Sequence, residues 1–168
     1  MRKVIASALA GVAIVASGSV GASTALSTIA VSATVVRSCA VAATTMPFGN
    51  YTPGTGALTN SPNINVTCTK GTPFSVALDK GAGGTIPQRL MTLSGGGGTL
   101  QYNLYTTAGT GGSIFGDGTT GNGVTVAGTG NGATAVAIPV FGTLPDNATN
   151  QTAPAGAYAD TVNVTVTY

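Results

Sequence analysis

From residue 29 onward the chain alternates apolar and polar positions, the period of a strand with one face in a core. Ile29, Val31, Ala33 and Val35 form the first such series, and Ile64, Val66 and Cys68 the second, separated by Asn65 and Thr67. Phe74, Val76 and Leu78 make a third, Leu100, Tyr102 and Leu104 a fourth, Val124 and Val126 a weaker fifth, and Val136, Ile138 and Val140 a sixth. From Tyr158 onward Val162, Val164, Val166 and Tyr168 point one way and Thr161, Asn163, Thr165 and Thr167 the other, so the tail is expected to be a strand to its last residue. Turn signals separate these runs at 49–54, 80–84, 95–98, 116–123 and 145–147. Short strands at this spacing predict an all-β sandwich, with no helical periodicity after the N-terminal segment.

The first residues follow a different pattern. Arg2 and Lys3 precede a mostly apolar run from Val4 to Ala16, and short residues lead to Val20-Gly21-Ala22. This is the pattern of a secretory signal peptide cleaved after Ala22, and the apolar run falls short of the roughly 20 residues that span a bilayer. Removing residues 1–22 from 168 leaves 146, the length of one domain with one core. In an exported chain the only two cysteines, Cys39 and Cys68, imply a disulfide rather than a metal site.

Composition then narrows the chemistry. The whole chain carries +2, but Arg2 and Lys3 belong to the signal, leaving Arg37, Lys70, Lys80 and Arg89 against Asp79, Asp117, Asp146 and Asp160. A near-neutral chain without a basic stripe predicts no nucleic-acid partner and no membrane insertion after signal cleavage. Its 43% hydrophobic content, rich in Val, Ile and Thr, separates it from disordered Gly/Ser-rich chains.

There is no His and no Glu, so Ser-His-Asp and Cys-His catalysis lack a base, and no catalytic, cofactor or metal residues are assigned. A carboxylate pair drawn from the four Asp is the formal alternative, against their turn-like and strand-start settings. Phe115-Gly116-Asp117-Gly118 reads as a plain turn, being short of the acidic ligands that calcium takes. Gly95 to Gly98 reads as a hairpin loop, five Asn-X-Thr matches, at Asn50, Asn65, Asn147, Asn150 and Asn163, are given no role, and the tyrosines read as packing before sugar binding.

An ordered set of motifs resembles the spore coat protein U domain family, which includes the pilins of archaic chaperone-usher pili. The set begins with Cys39-Ala40-Val41, Met46-Pro47-Phe48-Gly49-Asn50-Tyr51 and Ile64-Asn65-Val66-Thr67-Cys68. It continues through Phe74 to Asp79, Arg89-Leu90-Met91, Leu100 to Tyr105 and Phe115 to Gly118, and ends with Ile138 to Pro145 and Gly156 to Tyr168. The resemblance implies an incomplete immunoglobulin-like β-sandwich lacking its last strand, completed by donor-strand complementation. It also implies a structural pilus subunit in adhesion and biofilm formation, with a periplasmic chaperone, an outer-membrane usher and identical or related pilin subunits as partners, exported through the periplasm to the cell surface.

On that reading the expected organisation is a signal peptide at 1–22, a donor-strand segment at 23–36 and a pilin domain at 37–168. Ile29, Val31, Ala33 and Val35 are the expected donor knobs, Ala33 needing a shallow or partly filled pocket, and Val162, Val164, Val166 and Tyr168 are the expected acceptor groove. The alternative function is a secreted spore or cell coat protein, or a monomeric carbohydrate-binding module.

Overall fold

A computed structural model describes residues 21–109 and 111–168. The expected signal peptide therefore lies outside the described residues, apart from Gly21 and Ala22. The chain divides at Thr34 into two units. Residues 21–34 carry no secondary structure, and their apolar side chains are open to solvent, Ile29 at 89% and Val31 at 90%. A strand exists only with a ladder partner to take its N–H and C=O groups, so the alternation at 29–35 yields no strand among the described residues.

In the rest of the described chain the regular elements are strands, with one short helix. In chain order they are β1 (Cys39–Ala43), β2 (Leu58–Asn60), β3 (Asn63–Cys68), β4 (Pro73–Leu78), β5 (Gly83–Gly84), β6 (Arg89–Leu93) and β7 (Thr99–Tyr105). They continue with β8 (Val126–Thr129), β9 (Val136–Pro139), β10 (Phe141–Leu144), the one-turn helix α1 (Ala148–Gln151), β11 (Tyr158–Ala159) and β12 (Val164–Thr167). The first sheet runs β1-β3-β9, the second β11-β6-β7-β10-β2 with β5 on β6, and the third β12-β4-β8. Every ladder is antiparallel.

Alternation decides which side chains meet. Ile64, Val66 and Cys68 of β3, Phe74, Val76 and Leu78 of β4, and Leu100, Tyr102 and Leu104 of β7 are buried in one cluster. Val140 alone separates β9 in the first sheet from β10 in the second, so one continuous run of chain serves both. Cys39 and Cys68 are opposite each other in the β1–β3 ladder and are joined as a disulfide. The bond clamps an edge strand to the core, and in the chain-entropy treatment closing a loop of 29 residues contributes roughly 3 to 4 kcal/mol.

Two features differ from the sequence expectation. The tail is two strands rather than one, because residues 160–163 leave the second sheet and enter the third. The turn signal at Pro145-Asp146-Asn147 opens a helix: the Asn147 side chain caps it by accepting from the Asn150 N–H at 2.9 Å. Asn150 itself is fully buried, and its amide exchanges hydrogen bonds with the Gln101 backbone, standing in for a strand residue where β10 has ended. The Asn-X-Thr match at Asn150 therefore points inward.

Candidate functional site

Three edge strands, β1, β11 and β12, each belong to a different sheet and each have a ladder on one side only. Between them opens a cleft of about 530 Å³. One wall is the chain that follows β1, from Ala43 to Phe48; the other is the tail, from Tyr158 to Val162 with Val164. Its floor reaches the core at Ile64, Leu78, Leu104 and Val140. A second cleft of about 650 Å³ continues along the same two walls, between Met46–Tyr51 and Ala153–Tyr158, over Leu100 and Leu144. Unpaired edges beside an open apolar floor are the arrangement that β-strand addition requires.

The tail wall is held by carboxylates where it crosses between sheets. Asp160 accepts from the Tyr102 hydroxyl at 2.6 Å and from the Ala82 and Thr161 N–H groups, both at 2.8 Å. Asp79 accepts from the Asn163 N–H at 2.9 Å and from its side-chain amide at 2.6 Å. Behind them Arg89 is fully buried and donates to the carbonyl oxygens of Asp79 and Phe115 and to Asn103 Oδ1, at 2.7 to 3.0 Å. These bonds tie β6, the end of β4, β7 and the loop at Phe115 together beneath the cleft.

The proton affinities follow from these contacts. Burial and then the Asp160 hydrogen bond raise the Tyr102 hydroxyl above its ordinary value. At Asp79 burial pushes upward, but the N–H donors of Gly81 and Asn163 and the charge of Arg89 together hold it below the usual carboxylate range. Burial draws Arg89 down, opposed by the charges of Asp79, Asp160 and Asp117. Far from the crossing, Asp146 is held down to about 2 by the Tyr51 hydroxyl and the Gly54 and Gly56 N–H groups, while Tyr51 is pushed up to about 12, by burial and then by that bond. Asp117 accepts from the Thr119 and Thr120 N–H groups, which fasten its turn. All four carboxylates thus serve as acceptors for backbone N–H groups.

The expected acceptor residues are divided. Val162 and Val164 line the first cleft. Val166 lies beyond it, opposite Val76 and packed on the core, and Tyr168 is 55% exposed. Ile29, Val31 and Ala33 lie in the first unit, which ends at Thr34, and Val35, 83% exposed, begins the second unit. Among the cleft residues absent from the sequence expectation are Met46 and Phe48, and Arg89, outside the cleft lining, is the buried tie between the strands. The alternation of Arg89 with Met91 and Leu93 carried a signal for the last: an arginine in phase with two apolar residues is aimed at the same side as they are.

A model of the Spore Coat Protein U domain matches residues 25–165. No curated protein matches the chain. Among solved structures it is similar to a chain of the CsuC–CsuE chaperone–tip adhesion subunit pre-assembly complex, from the archaic chaperone-usher Csu pili of Acinetobacter baumannii. That likeness has 24% identity and a TM-score of 0.58, over 80% of this chain and 41% of the other. A chain of a chaperone–tip adhesin complex of CFA/I fimbriae biogenesis matches over 73% of this chain and 38% of its own, with 10% identity and a TM-score of 0.35. The chain thus spans less than half the length of either. The Csu likeness, with the antiparallel sheets, shows an immunoglobulin-like sandwich.

Proposed function

The chain belongs to the Spore Coat Protein U domain family, and from that premise we propose that it is a structural pilus subunit polymerising by donor-strand exchange. The observation that carries this reading is the pairing, in one chain, of an exposed alternating apolar segment and a cleft bounded by three sheet edges, both without a further ladder partner among the described residues. Residues 24–36 of one subunit enter the cleft of the next. Their backbone pairs with the free edges, and Ile29, Val31, Ala33 and Val35 face the floor. The walls suit such an occupant: residues 43–53 and 153–164 flank the two clefts, and residues 24–36, as a strand at about 3.3 Å per residue, are long enough to follow either wall.

Burying Ile29, Val31 and Val35 contributes roughly 1.5 to 3 kcal/mol each, before the cost of ordering the segment is subtracted. The contact joins unlike surfaces and does not close on itself, so repetition extends a filament. Before assembly the open cleft needs a temporary occupant, a role that fits a periplasmic chaperone, with release through an outer-membrane usher. Residues 1–22 act as the export signal, residues 23–36 as the donor segment and residues 37–168 as the acceptor domain, and the filament serves adhesion and biofilm formation at the cell surface.

The test compares the intact chain with one lacking residues 23–36, each expressed with its chaperone, by size and electron microscopy. Filaments are expected from the intact chain, and only chaperone-bound or aggregated subunit from the truncated one. Two stable monomers would instead identify a self-complete domain, such as a carbohydrate-binding module.

A further inference from the structure

The wall that follows β1 is built without a ladder. Residues 44–50 carry no strand, yet Met46, Pro47 and Phe48 line both clefts. Three contacts with the second sheet hold them. The Asn60 side-chain amide of β2 donates to the Pro47 carbonyl at 2.6 Å. Phe48 meets Tyr102 of β7 edge-on, with ring centroids 6.1 Å apart and planes at 61°. Met46 and Phe48 both rest on Gly142 of β10: a Cβ there would overlap Met46 Sδ, and would lie 3.1 Å from Met46 Cε and 3.0 Å from Phe48 Cζ.

The seat cannot give way from its own side. Gly142 is buried and lies in the ladders on both sides of β10, opposite Asn60 of β2 and Leu104 of β7. A side chain at 142 must therefore displace Met46, an unbranched and flexible chain, away from β10. The open volume beside Met46 is the two clefts that it lines. We infer that Gly142 is a positioning residue for strand addition: its bare backbone lets the Met46 side chain lie back on β10 and leaves the clefts clear for an incoming strand. This inference rests on the clefts accepting residues 24–36 of another subunit, and adds a residue beneath the wall that governs the acceptance.

The test uses the full chain in complex with its chaperone and a labelled peptide of residues 24–36. The rate at which the peptide displaces the chaperone is read by size-exclusion chromatography for the unaltered chain, Gly142→Ala, Met46→Ala and the double variant. Gly142→Ala adds one methyl group and is expected to slow capture about tenfold or more, since an overpacked groove opposes the strand. In the double variant the displaced side chain is gone, and the rate should return to that of Met46→Ala, so that the two effects do not add. Native capture by Gly142→Ala overturns the inference, and so does a double variant that remains slower than Met46→Ala by the full Gly142→Ala effect. A Gly142→Ala chain that forms no chaperone complex would place the glycine in folding rather than in acceptance, and overturns it as well. Failure of the unaltered chain to take up the peptide overturns the donor reading itself, and the inference with it.

Discussion

Replacing Ile29 and Val31 together by aspartate is expected to abolish fibre formation while leaving the subunit folded. Both side chains are almost wholly exposed in the single chain, so their loss removes little of its packing. In the cleft they would face Ile64, Leu78, Leu104 and Val140, an apolar floor with nothing to pair a carboxylate. The double variant forfeits roughly 3 to 6 kcal/mol of aliphatic burial and adds the cost of desolvating two charges. Since 1.4 kcal/mol is tenfold in affinity, the joint weakens by at least about a hundredfold. Electron microscopy with sedimentation checks assembly, and far-UV circular dichroism checks the fold. Normal filaments from a folded double variant would remove these residues from the donor role.

The second large effect is on stability. Arg89→Met fills a similar volume but leaves the carbonyl oxygens of Asp79 and Phe115 without their donor, and the Asn103 side-chain oxygen with the Leu104 N–H as its remaining one. Two acceptors left unpaired, at about 1 to 3 kcal/mol each, predict destabilisation of about 2 to 6 kcal/mol. Arg89→Lys should recover little, because one ammonium cannot span acceptors arranged around a planar fork. Urea denaturation of the full-length monomer measures the difference. A loss below about 1 kcal/mol for Arg89→Met would show that water or rearranged neighbours take over these bonds. Because Arg89 also braces Asp79, which holds Asn163, the tail wall should lose order before the disulfide-clamped β1 wall does.

What the sequence made legible was what alternation controls. The runs at Ile64–Cys68, Phe74–Leu78 and Leu100–Leu104 became β3, β4 and β7, because a period of two with one buried face has few other solutions. The cysteine pair was legible because two cysteines permit a single intramolecular bond. The short edge strands β1, β2 and β11 were less so: their residues are small or half-exposed, and a ladder partner far along the chain makes them strands. The split of the tail was hidden for a similar reason. Val162, Val164 and Val166 keep their alternation through the crossing, while the bonds of Asp160 to Tyr102 and of Asp79 to Asn163 reach across 58 and 84 residues.

The candidate site was read in part. Its tail wall could be found from an apolar terminal run, and Val162 and Val164 line the cleft. The opposite wall could not, since Met46-Pro47-Phe48 has no strand period and owes its position to a glycine some 95 residues away. Tyr168 shows the limit of parity: it continues the valine series, but the cleft ends before it.

If residues 29–35 become a strand in a neighbouring subunit, amide hydrogen exchange along that segment reports it residue by residue. In the chaperone-bound subunit these amides should exchange at the rate of an unprotected chain, since they have no ladder partner among the described residues. In the assembled fibre those that join the ladder should be protected to the level of the β3 and β4 core strands. Rapid exchange at residues 29–35 in intact fibres would contradict the account, whatever else holds the filament together.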